Sequence, residues 1–92
     1  MVVYTVPSST LAVLNINVAS LSSSAQTVDV ALPDETDGTF DNNDLIENDT
    51  SISAKGVLER TGVVLEAGRS VVVTSSDGTG VAVNVYGIEE SV

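Results

Sequence analysis

Cysteine, histidine and tryptophan are all missing from this 92-residue chain. Without cysteine no disulfide can brace the fold, and no thiolate can act as nucleophile or ligand. Without histidine the commonest general base is gone, and with cysteine absent too, zinc loses its usual ligands. Catalysis would fall to carboxylates, hydroxyls, Lys55 or the two arginines. A carboxylate pair is the one conceivable acid–base set, but a chain this short has little room to wall a substrate cleft around it. The expectation is a protein that is not an enzyme and carries no cofactor.

Positive charge is equally scarce. Lys55, Arg60 and Arg69 stand against thirteen acids, for a net charge of −10. Nucleic-acid binding needs Lys and Arg in number, so it is not expected. Anionic membrane surfaces are excluded on the same ground. A positively charged protein surface remains open as a partner, as does the plainer role of keeping an abundant protein soluble. A salt-adapted host would leave the same imprint.

Aromatic residues number three, Tyr4, Phe40 and Tyr86, so the core has to be built from Val, Leu and Ile. A domain of this size buries only about two thirds of its unfolded surface. Small modules make up the shortfall with disulfides, metals or partner subunits. With disulfides closed off, oligomerisation is the expected remedy. Targeting signals are weak: the first charged side chain is Asp29, and Pro7, Ser8, Ser9, Asn15 and Asn17 interrupt the apolar stretch from Val2 to Val18. That stretch is unfit to span a bilayer, and synthesis in a cytoplasm as a soluble protein is the expectation.

Period-two patterning runs through most of the chain. Val2 to Val6 is β-branched and aromatic until Pro7-Ser8-Ser9 breaks it. Leu14, Ile16 and Val18 alternate with Asn15 and Asn17, and Val28, Val30 and Leu32 alternate with polar neighbours after a serine-rich turn. Residues 33–50 differ in kind, with seven acids and few core-formers beyond Phe40, Leu45 and Ile46. They read as a long acidic loop with a short turn or strand near Phe40 or Ile46. A short strand at 51–54 follows. Val57 to Thr61 and Val63 to Leu65 then flank Gly62, a bulge signal. Val71-Val72-Val73 is apolar on both faces, so its strand is central in a sheet or covered by a partner.

Residues 69–75 and 79–88 read as a hairpin across Ser76-Asp77-Gly78, with Val73 set opposite Ala82 or Val81 according to the turn. The predicted class is all-β: a small antiparallel β-sandwich (or barrel) of about seven strands, one domain over 1–92.

Individual motifs carry little chemistry. Asp77-Gly78-Thr79-Gly80 has a faint likeness to an aspartic protease loop, but a hairpin turn accounts for the same residues. An EF-hand frame with Gly38 sixth puts Pro33 first, where an aspartate is needed. A looser calcium site from Asp34, Asp37, Asp41 and Asp44 stays open beside the reading of a solvated loop. Asn48-Asp49-Thr50 fits a glycosylation sequon by chance. Residues 1–28 carry no charged side chain. They could pair with a neighbouring subunit's sheet edge or form the first strands of the chain's own sandwich.

Three segments resemble small virion structural proteins of tailed bacteriophages, of the cyanophage and marine phage type. They are Tyr4 to Thr10 with Thr27 to Val30, Leu58 to Gly68, and Val83 to Glu90. The likeness is one of pattern and spacing and excludes the acidic stretch. It implies a β-sandwich displayed on the outer capsid surface, a decoration or cement protein made in the bacterial host and bound to the major capsid protein. Proteins of that type act as trimers or other symmetric clusters, and no catalytic residues carry over. Subunit contacts are expected at Val2, Val3, Tyr4, Val6, Tyr86 and Ile88. The alternatives are a tail, neck or fibre component, a calcium-dependent adhesion or matrix module, and a small acidic inhibitor mimicking DNA charge.

Overall fold

The computed structural model describes residues 1–77 and 80–92. Seven strands follow one another: β1 (Val2–Thr5), β2 (Thr10–Ser20), β3 (Gln26–Ala31), β4 (Leu45–Ile52), β5 (Val57–Glu66), β6 (Ser70–Ser75) and β7 (Val81–Ser91). They form a four-stranded sheet in the order β1-β6-β3-β4 and a three-stranded sheet in the order β5-β2-β7. Every pairing is antiparallel. The architecture is the expected β-sandwich, with one short 3-10 turn (Asn42–Asp44) and no α-helix among the described residues.

Alternation places the core. Ala12, Leu14, Ile16 and Val18 point inward from β2 and meet Val28 and Val30 of β3 and Val71 and Val73 of β6. No aromatic residue is fully buried, so the interior is packed with β-branched side chains suited to a pleated surface. The two open sides of the sandwich are each closed by one polar tie. Arg60 of β5 pairs with Glu47 of β4 and donates to the Ile46 carbonyl. On the other side the Tyr4 hydroxyl of β1 donates to Glu89 of β7.

The expected bulge at Gly62 is present. The β2–β5 register shifts between Leu14 and Ile16, and Gly62 has φ +67°. The left-handed region costs glycine little and a β-branched residue much. The Gly62 N–H, freed from the ladder, donates to Asn15 Oδ1.

Two expectations need correction. Residues 69–75 and 79–88 do not form a hairpin: β6 lies in the four-stranded sheet and β7 in the other. Val73 sits opposite Val30, and neither Ala82 nor Val81 is its partner. The physical reason lies in how β6 is enclosed. Both faces of β6 are buried, Val71 and Val73 in the core and Val72 on the outer face, while its two edges are taken by β1 and β3, so no edge is left for β7. β7 instead pairs with β2 from Thr10↔Ser91 to Ser20↔Val81 without a break. The link passes through Gly78 and Thr79, so its turn type lies outside the described residues.

The acidic stretch is also more structured than a solvated loop. Its second half is β4, paired with β3 through two irregularities. Its first half folds over the outer face of the four-stranded sheet. Ser70 N–H donates to the Pro33 carbonyl, Ser70 Oγ to the Glu35 carbonyl, and Leu32 N–H to the Asp44 carbonyl. A Cβ placed on Gly38 would lie 3.5 Å from Val2 Cγ2. Val2, Val72 and Ala31 are opposed across three strands on this outer face. Val72 and Ala31 are buried there, outside the central core cluster. The acidic segment is their cover.

Candidate interaction surface

The two outer faces of the sandwich are not equivalent. One is covered by residues 33–44, as described above. The other, on the three-stranded sheet, is bare. Register fixes its rows: Val64, Val13 and Ile88 lie side by side across β5, β2 and β7. Tyr86, opposite Asn15, adjoins that row, and Val57, Ala19 and Ala82 form a second apolar row at the far end. Val64 is 60% exposed, Ile88 61%, Tyr86 53% and Val57 56%. Large aliphatic side chains gathered in rows on one face, and not scattered singly, make this face the candidate interaction surface. Glu66, Leu11 and Glu90 bound it at one end, and Glu59, Asn17 and Asn84 cross its middle.

The six residues expected at subunit contacts do not come together. Tyr86 and Ile88 lie on the bare face. Val2 is held under the acidic segment, and Val3 and Tyr4 pack against the core. Val6 is 2% exposed and belongs to the core itself, which removes it from the candidates. Its N–H donates to the Arg69 carbonyl and its carbonyl accepts from Gly68 N–H. The uncharged N-terminal region therefore builds this chain's own sandwich, with β2 at the centre of one sheet. Sequence reasoning missed Val64, Val57 and Val13. Val63-Val64-Leu65 carried the signal, since three apolar residues in a row put one of them on each face.

Charge is distributed to leave the acids in surplus. Lys55 Nζ donates to the Leu21 carbonyl, Arg60 pairs with Glu47, and Arg69 donates to the Leu32 carbonyl close to Asp44 and Glu66. All three bases are thus committed within the chain. Two of the four carboxylates that could ligate calcium are engaged separately. Asp37 Oδ1 accepts from the N–H and hydroxyl of Thr39, which holds its carboxyl below the usual range. Asp44 Oδ2 accepts from Asp41 N–H. Among the described residues no group of three or more acids is placed to hold a metal ion.

Beside β7 a groove of about 560 Å³ opens between the sheets, lined by Tyr4, Leu14, Val85, Gly87 and Glu89. Burial, then the Glu89 hydrogen bond and charge, push the Tyr4 phenol up to about 12. Comparison of the chain with protein-family models, curated proteins and solved structures returned no match.

Proposed function

We propose that this chain is a non-enzymatic structural module of a phage virion, a decoration protein that seats on the outer capsid surface and stabilises the shell. The observation that carries this reading is the bare apolar face of the three-stranded sheet, with Val64, Val13 and Ile88 in one row and Tyr86 beside it. Two of the segments that resemble phage virion proteins, 58–68 and 83–90, contain most of β5 and β7, the strands that flank β2 on that face. A cement protein needs a rigid, soluble scaffold with a contact face, repeated over a symmetric lattice. It does not need a pocket. At −10 per chain, attachment draws on apolar and backbone contacts with local pairing to capsid Lys or Arg.

The test compares heat-induced genome release from particles with and without the protein. Release at lower temperature from the depleted particles is the expected result. Equal release temperatures, or density for the chain only on the tail in cryo-electron microscopy, would move the function to a tail, neck or fibre component. A Val64→Asp, Ile88→Asp double variant should fold normally by circular dichroism yet fail to rebind depleted particles.

A further inference from the structure

The geometry points to the free edge of β7 as a self-pairing site, where a second copy of this chain adds its own β7 antiparallel about a two-fold axis at Tyr86. The pairing does not depend on the capsid reading and would hold in any setting.

A sheet edge invites strand addition unless something blunts it. Three of the four edges here are blunted. β5 carries the Gly62 bulge together with Glu59 and Arg60. β4 pairs irregularly, has Asp49 at φ +50° and bears Glu47 and Asp49. β1 is four residues long with a register shift of its own. β7 runs eleven residues in unbroken register, and from Ala82 to Ile88 it has no charge, no proline and no bulge.

The ladder also shows which groups are free. Leu21 N–H donates to the Gly80 carbonyl, and Val92 N–H donates to the Ser9 carbonyl, at opposite ends of the β2–β7 pairing. Antiparallel alternation then commits the even-numbered residues of β7 to β2. The N–H and C=O groups of Val83, Val85, Gly87 and Glu89 are left pointing outward.

Register follows from the side chains. A two-fold axis normal to the sheet keeps like faces together, so residues of the same parity must oppose one another. Centring on Tyr86 sets Val85 of one copy against Gly87 of the other. Val85 of each copy then lies along the groove that Val85, Gly87 and Glu89 line. The two Tyr86 rings meet on the exposed face as a cross-strand aromatic pair. Glu89 falls opposite Val83 and Glu90 opposite Ala82, so no acids face each other. The two Glu89 residues end up about 20 Å apart along the ladder, beyond the roughly 8 Å screening length of physiological salt. The trimer that the phage resemblance implies would need a second, different edge to receive β7, and the remaining edges are short or blunted.

The absence of cysteine makes the test clean. Under mild oxidation Tyr86→Cys should give a covalent dimer, because residues at the axis form a non-hydrogen-bonded pair with close Cβ atoms. Asn84→Cys mixed with Ile88→Cys should crosslink, each faster in the mixture than alone. Val64→Cys, on the same face but on β5, should not. In sedimentation equilibrium the unmodified chain should show twice the monomer mass, and Tyr86→Lys should halve it with circular dichroism unchanged. A trimer mass, a Tyr86→Lys variant that sediments like the unmodified chain, or Tyr86→Cys crosslinking no faster than Val64→Cys would overturn the pairing.

Discussion

The Tyr4 hydroxyl donates to the Glu89 carboxylate, tying the edge strand of one sheet to the edge strand of the other across eighty-five residues of sequence. Burial first, then this bond and the Glu89 charge, hold the phenol protonated, to about 12 against an ordinary 10. In the unfolded chain the same phenol ionises near 10, so the folded state binds the proton more tightly in the window between these values. Stability from this group is complete below pH 10 and lost as pH rises through 12. Tyr4→Phe should flatten the alkaline limb of the melting curve. In a Tyr86→Phe background, phenolate absorbance should show Tyr4 titrating late in the folded protein; phenolate formation near 10 would contradict the tie.

Gly87 and Val13 set a steric limit on the same strand. A Cβ built on Gly87 would lie 2.0 Å from the Val13 carbonyl oxygen and 2.9 Å from Leu14 Cα. Both are backbone atoms of the central strand and cannot rotate away. Gly87→Ala therefore forces the β2–β7 ladder apart, at about 1–3 kcal/mol, the usual range for overpacking. Urea unfolding measures it directly. A change within 0.5 kcal/mol would show that the ladder yields more easily than its continuous register indicates.

Ile16, 1% exposed on the central strand, tests how thin the aliphatic core is. Ile16→Ala should cost about 2–5 kcal/mol, the range for removing a buried aliphatic side chain and leaving a cavity. With no disulfide to limit the unfolded ensemble, that loss is a large share of a small domain's total stability. The variant should be substantially unfolded at 37 °C by near-ultraviolet circular dichroism.

Much of this fold was legible because strand alternation is a local property. Leu14, Ile16 and Val18 announced the inward face of β2, Gly62 announced its bulge, and Val71-Val72-Val73 announced an inner strand. What failed was partner choice. The short connection between β6 and β7 favoured a hairpin, whereas β6 pairs with β1 and β3 and β7 with β2, a choice between sheets that no local pattern encodes. The bare apolar face was half legible. Tyr86 and Ile88 stood out in a terminal strand, but Val64 and Val13 join them only through register across β2, which no single segment encodes. Val6 misled because an uncharged terminal segment looks the same whether it is buried in its own sheet or offered to another.

The acidic segment was legible in part: the turn at Asn42–Asp44 and the strand through Ile46 match the short turn or strand expected there, whereas its charges were visible and the apolar strip beneath its first half was not. Replacing residues 34–41 with a shorter Gly-Ser bridge changes loop-closure entropy by only about 0.6 kcal/mol per halving. Uncovering a Val-sized side chain costs about 1.5–3 kcal/mol. Burial is the larger effect, so the replacement should lower Tm while leaving the strands intact. Val72→Asp should be as damaging as a core substitution, since Val72 is 1% exposed beneath that cover. An unchanged Tm in the bridged variant would return the segment to the status of a free loop.

The same cover predicts an acid-side signature. Burial raises the Glu35 carboxyl above its ordinary value of 4.5, reinforced by Asp34 and Asp44 nearby, against a smaller opposing backbone hydrogen bond. One of its oxygens, Oε2, is enclosed without a hydrogen-bond partner. The folded chain therefore holds this proton more tightly than the unfolded one. The sign is opposite to that of a salt-bridged carboxylate: stability is greatest with Glu35 protonated, and falls as pH rises from 4.5 through the elevated folded value. Asp37, held low by Thr39, contributes in the other direction and at lower pH. Glu35→Gln keeps the shape, supplies a donor in place of a charge and removes the titration. It should raise Tm and flatten its slope above pH 4.5, whereas Asp34→Asn should give only part of the gain. If Glu35→Gln leaves the pH profile of Tm unchanged, the carboxyl is solvated and the acidic segment does not close over the sheet at this point.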